Sequence, residues 1–159
     1  MNNVLNNQQV EELFNTLNVL NSPPKSPQEN AVAKTLRNIK RDWLGKHIEK
    51  LQDIDDEHCA VKTEADGTKV FVKQTLKKST IGKNGETITT EFQVNCYGPN
   101  DEKKRKAQRN TYMLEKANQF EIITTDDDTG LSAYQKEVLF ELGFLKKKPK
   151  KEEQTETQQ

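Results

Sequence analysis

Apolar residues recur at helical spacing twice near the start of the chain. Val10, Leu13, Phe14, Leu17 and Leu20 share one face, with Asn and Glu between them. Asn6 or Asn7 stands where a cap is needed, and Pro23-Pro24 forbids continuation. Ser26-Pro27-Gln28-Glu29 opens a second helix: a cap residue, a proline at the first helical position, and a glutamate three residues after the cap. Val32, Leu36, Ile39, Trp43, Ile48 and Leu51 then form its stripe, while Lys34, Arg37, Lys40, Arg41 and Lys46 lie largely off it. From Pro27 to about Asp53 this helix would be ~40 Å long. The short linker predicts an antiparallel helical hairpin over 1–54, the second helix outrunning the first. Trp43, in mid-stripe, is expected to be buried against the first helix or a neighbouring chain.

After Asp55-Asp56-Glu57 the period changes from helical to alternating. Cys59 to Thr63 predicts a short strand, and Asp66-Gly67 a hairpin turn. Thr68 to Lys77 places Val70, Val72, Gln74 and Leu76 on one face. Gly82-Lys83-Asn84-Gly85 contains Asn-Gly, the strongest short hairpin signal. Glu86 to Tyr97 returns with Ile88, Thr90, Phe92, Val94 and Cys96 alternating. A small antiparallel hairpin or three-stranded meander over 58–97 follows, its Thr- and Lys-rich opposite face turned to solvent or a polar partner.

Gly98-Pro99 breaks the sheet. Asn100 or Asp101 would cap a third helix running to about Asn118, with a weak stripe of Ala107, Leu114 and Ala117. Gln119 to Thr125 reads as a short strand and 126–130 as an acidic loop. Ser132 would cap a last helix carrying Tyr134, Val138, Leu139 and Leu142, ended by Gly143, with Phe144 and Leu145 folding back onto the core. The region 100–145 is thus helix-strand-helix. From Lys146 to Gln159 no apolar residue remains, which predicts a disordered charged tail. Met1 to Asn7 has only Val4 and Leu5 as anchors. The expectation is one α+β domain over 1–145, with two further C-terminal helices after the β region.

Composition thins this picture. Only 31% of residues are hydrophobic, below the usual globular share, so the core should be thin and in need of partners for stability. The 25 basic and 25 acidic residues cancel, so no global field draws the chain to nucleic acid or membrane. No apolar run has the ~20 residues a membrane helix needs, and the polar start lacks the pattern of a secretory signal. Two cysteines, Cys59 and Cys96, read as free thiols of a reducing compartment.

Candidate chemistry is sparse. His47, His58, Cys59 and Cys96 have no zinc spacing, and adjacent His58 and Cys59 would point to opposite strand faces. Asp126, Asp128 and Glu137 fit positions 1, 3 and 12 of a calcium loop, but Leu131 occupies the position that needs glycine. Nothing marks either thiol as activated, and no phosphate loop, nucleophile elbow or zinc-protease pair occurs. No enzyme, metal, cofactor or small-molecule substrate is therefore expected. One cluster stands out: Lys103, Lys104, Arg105, Lys106 and Arg109 on a single helix, four of them opposing its dipole near the N-terminus. With Lys73, Lys77, Lys78 and Lys83 they point to an acidic partner, either nucleic acid or another subunit.

In its Asn- and Lys-rich usage and its order of elements the chain resembles the small proteins encoded among structural genes of tailed bacteriophages. The order is a helical hairpin, a Gly-containing β region, a charged helix, a short strand (Phe120 to Thr125), an acidic turn, and a closing helix from Leu131-Ser132-Ala133-Tyr134 to Leu145. The resemblance implies a virion or assembly component such as a connector, ring or tail-associated subunit, located in the virion or host cytoplasm. It implies homo- or hetero-oligomeric partners, with Lys103, Lys104, Arg105, Lys106, Arg109 and Trp43 as candidate contacts. The alternative is a nucleic-acid-associated or regulatory protein acting through the basic helix.

Overall fold

The computed structural model describes residues 4–20, 27–117 and 120–146. The fold is α+β. It comprises α1 (Asn7–Val19), α2 (Pro27–Ile39), a π-helical turn (Lys40–Leu44), α3 (Gly45–Glu57), β1 (Val61–Thr63), β2 (Lys69–Phe71), β3 (Lys73–Ile81), β4 (Thr87–Asn95), α4 (Pro99–Leu114) and α5 (Ala133–Glu141). By contacts the chain groups into two compact units rather than one. The first is Met1–His47 with Met113–Gln159, and the second is Ile48–Tyr112.

The first unit holds the hydrophobic core. Val10, Leu13 and Leu17 of α1 meet Val32, Leu36 and Ile39 of α2, and Leu139 of α5 with Phe144 completes the cluster. Asn6 caps α1: its side chain accepts from the Gln9 backbone at 2.8 Å, and the Gln9 side chain accepts from the Asn6 backbone at 3.0 Å. Asn7, the other cap candidate, is buried, and its side-chain Oδ1 accepts from Trp43 Nε1 at 3.0 Å. Trp43 is itself buried and stacks on His47, with ring centroids 4.1 Å apart. The capping serine expected for the second helix, Ser26, lies outside the described residues.

The long second helix corrects the expected stripe. Ile48 is exposed, while His47, four residues after Trp43, is buried and bonds Glu11 at 3.0 Å. The step of five from Trp43 to Ile48 followed residue type. The helical step of four lands on a polar residue, which periodicity read from apolar residues passes over.

The strand expected at 119–125 does not form as such. Residues 120–124 run without regular secondary structure, and only Thr125 makes a bridge, parallel to Leu145. Two buried polar side chains of α2 supply hydrogen bonds that a sheet would have given. Ile123 N–H donates to Thr35 Oγ1 at 3.1 Å, and Asn38 Nδ2 donates to the Glu121 carbonyl at 3.1 Å. Leu5 is buried too, and its carbonyl accepts from Ala117 N at 2.9 Å. Of the two anchors read from the sequence there, Leu5 is buried and held, and Val4 is exposed.

Helix α5 begins and ends as its sequence predicts. Ser132 and Gln135 form a capping box. At the far end Gly143 takes φ +83°, Phe144 N bonds Leu139 O, and Gly143 N bonds Phe140 O. This is a Schellman motif, and fully buried Phe144 and Leu139 are its apolar contact. The tail residues 147–159 lie outside the described residues.

In the second unit the meander resolves into two separate antiparallel pairs, β1–β2 and β3–β4. The chain changes partner at Val72. Val72 N bonds Ala60 O, Ala60 N bonds Cys96 O, and Cys96 N bonds Val72 O, closing a backbone triangle between the two pairs. Both turns share one form. Gly67 N bonds Glu64 O while Glu64 N bonds Thr68 O, and Gly85 N bonds Gly82 O while Gly82 N bonds Glu86 O. The glycines take φ +85° and +76°, and no described non-glycine residue has positive φ. Asn84-Gly85 therefore sits in a type I turn with a glycine bulge, not in the two-residue turn that needs positive φ twice. Pro99, expected to break the sheet, also starts α4 as its first residue.

Replacing Trp43 with alanine should lower unfolding free energy by about 3–5 kcal/mol, measured by urea titration. Native tryptophan emission should be blue-shifted and poorly quenched. Red-shifted, freely quenched emission would contradict the observed burial.

Candidate functional site

Two surfaces of the second unit gather the side chains that sequence reasoning singled out. The first is the basic helix α4. Its five cations do not form one free patch. Arg105 Nη1 and Arg109 Nη1 both reach Asp55 Oδ1, at 3.0 and 2.8 Å. Arg105 also grips Glu102 through Nε at 3.2 Å and Nη2 at 2.8 Å, and its guanidinium lies 4.4 Å over the Tyr97 ring. Lys106 reaches Glu102 at 3.7 Å, and Lys103 and Lys104 are exposed. Arg105, Arg109 and Lys106 are thus ion-paired within their own unit.

Electrostatics follow this geometry. The hydrogen bonds and charge of Arg105 hold the Glu102 carboxyl below the usual glutamate range. Burial, and then the Asp55 charge, push the Tyr97 phenol up. Beside the cluster His58 bonds Gln108 at 2.6 Å, Gln108 Nε2 donates to Glu57 at 2.9 Å, and Asn95 Nδ2 donates to Asp56 at 3.0 Å. These bonds join the end of α3 to α4 and β4. Asp55, read from sequence only as a marker between elements, accepts from two arginines. No sequence signal pointed to it: the acid lies fifty residues from Arg105 and fifty-four from Arg109, a spacing that only the fold turns into contact.

The second surface is the β3–β4 ribbon. Its register pairs Leu76 with Phe92, Thr80 with Ile88 and Lys77 with Glu91. The alternation expected from sequence is present, so Leu76, Ile88, Phe92 and Val94 share one face. Among the described residues that face is left exposed: Leu76 is 40%, Ile88 48% and Phe92 43% exposed. On β1 and β2, Val61 and Phe71 are exposed as well, and a hollow of about 540 Å³ lies over Val61, Lys69, Val70, Phe71 and Lys73. In the whole of Ile48–Tyr112 only Ile54 and Cys59 are buried.

The remaining candidates are scattered. Trp43 and His47 lie in the core of the first unit, so Trp43 is enclosed rather than offered to a partner. Cys59 and Cys96 are free thiols, and Cys59 Sγ points to the carbonyls of Ala60 and Val72 at 3.4 and 3.5 Å. In the acidic loop Asp128 pairs with Lys136 at 3.5 Å, and Asp127 accepts from Thr129 N. Among the described residues no three His, Cys, Asp or Glu side chains are placed to hold a metal ion, and no helix is long and apolar enough to cross a membrane. No protein-family model, curated protein or solved structure matches the chain.

Two results are expected for the Asp55 cluster. Asp55→Ala removes the shared acceptor of two partly buried arginines and should destabilise the second unit by about 1–2 kcal/mol, seen as faster amide exchange in α4. Unchanged exchange would show that the cluster holds nothing together. Acidification gives the second test. Glu102 titrates lower folded than unfolded, so its contribution is present above the unfolded value and fades as pH falls from there through the lower folded value. Protection of the first turn of α4 should fall in that window, and Glu102→Gln should remove the dependence.

Proposed function

We propose that this chain is a non-enzymatic structural subunit of a larger assembly, of the connector, ring or tail-associated kind found in bacteriophage particles. One observation carries the reading. The second unit buries only Ile54 and Cys59, while Leu76, Ile88 and Phe92 stand exposed on one face of the β3–β4 ribbon and Val61 and Phe71 stand exposed on the β1–β2 pair. Isolated exposed apolar residues are ordinary, but an alternating apolar face left open along a ribbon is a surface built to be covered. The thin apolar composition agrees, because such a chain gains stability by burying surface against partners. The bacteriophage setting rests on the resemblance in residue usage and element order.

The alternative, a nucleic-acid-associated protein acting through α4, is supported by exposed Lys103 and Lys104. It is weakened by the pairing of Arg105, Lys106 and Arg109 with acids of their own unit.

Expressed with its genomic neighbours and purified through a tag on this chain, the protein should elute by light scattering well above the mass of one 18.3 kDa copy. Elution as a single copy with nothing bound, over the whole concentration range, would end this reading. Strong retention on duplex DNA, lost by charge reversal at Lys103 and Lys104, would transfer support to the alternative.

A further inference from the structure

The ribbon has two open edges as well as an open face. Among the described residues β3 and β4 each pair only with the other, so each presents an outer row of backbone donors and acceptors. A lone two-stranded ribbon is marginal in water, and nine-residue strands make a long edge of ~30 Å. Natural edges of that length are shielded or paired.

The two edges differ in charge. Strand β3 carries Lys73, Lys77 and Lys78 and no acid, whereas β4 carries Glu91 and no base. Lys77 and Glu91 already attract one another across the ribbon at 3.5 Å. Two β3 edges brought together would oppose lysines, and two β4 edges would oppose glutamates. A β3 edge against a β4 edge opposes neither. Strand direction agrees with charge. Adding β3 of a second copy beside β4 continues the antiparallel alternation, and a register that opposes even-numbered to even-numbered residues places its Leu76, Ile88 and Phe92 on the same side as those of the first.

We infer that the occupant of the ribbon is a second copy of this chain, whose basic β3 edge adds to the acidic β4 edge, head to tail. This rests on the assembly reading above and specifies its contact. Because the two surfaces in contact differ, the contact repeats from copy to copy until the rotation closes a ring. The zero net charge of the chain imposes no global repulsion between copies. Nucleic acid fits the ribbon less well, since the side bearing Leu76, Ile88 and Phe92 carries a single cation, Lys78, among its apolar residues.

Charge reversal on one edge at a time tests this. Glu91→Lys makes both edges basic, and the triple variant Lys73→Glu, Lys77→Glu, Lys78→Glu makes both acidic. Sedimentation equilibrium of the full chain from micromolar to millimolar concentration should show wild-type self-association. Each variant alone should self-associate about tenfold more weakly. Mixing the two variants should restore association, since each then offers an edge opposite to the other's, and recovery also shows that both ribbons remained folded. Three results would overturn the inference: a wild-type monomer throughout, variants that associate as well as wild type, or no recovery on mixing. A wild-type monomer that binds a different protein overturns the self-pairing and preserves the assembly reading. A monomer that binds only duplex DNA overturns both.

Discussion

The structure depends on how few large apolar side chains the chain has and where it places them. Nearly all that are buried lie in the first unit, where α1, α2 and α5 enclose Leu13, Leu17, Ile39, Leu139 and Phe144. A core of this kind stabilises by roughly 1.5–3 kcal/mol per fully buried side chain, and each unit would need several. The second unit has Ile54 and Cys59. Its internal cohesion comes instead from backbone pairing and from Asp55, Glu102 and their arginines. Those contacts are directional and fix geometry, but partly exposed ion pairs add little net stability.

Polar groups also organise the first unit. Thr35 and Asn38 face inward from α2 and hold the backbone of residues 121–123 by hydrogen bonds, so an extended segment docks on a helix without joining a sheet. Asn7 does the same for the indole of Trp43. Each is a buried polar residue with its partner supplied, the condition under which burial is tolerated. Their placement fixes which way α2 and the segment meet, a specificity that apolar contacts alone leave looser.

Sequence showed most of the elements and few of their partners. Alternation over 70–96 and helical spacing over 10–20 were legible because each depends on neighbours a few residues away. The capping boxes at Asn6 and Ser132 and the Schellman turn at Gly143 were legible or nearly so, for the same reason. The Asp55 cluster was not, since its members are fifty and more residues apart. Burial of His47 in place of Ile48 was missed because a histidine carries no hydrophobic signal. The basic helix was read correctly as a set of charges. The acids that neutralise three of them come partly from α3, which spacing along α4 cannot reveal.

Under the proposed function the chain is incomplete by itself: a unit with a core is joined in sequence to a unit that buries only Ile54 and Cys59, whose ribbon has an apolar face and two edges of unlike charge. Residue-resolved amide exchange on the dilute full-length chain tests this most directly. Core amides of the first unit, such as those of Leu13, Leu36 and Leu139, should exchange only with global unfolding. Amides of β3 and β4 should exchange orders of magnitude faster when dilute and slow as the chain assembles. Equal protection of ribbon and core in the dilute monomer would contradict the account, because it would mean that the second unit is complete by itself.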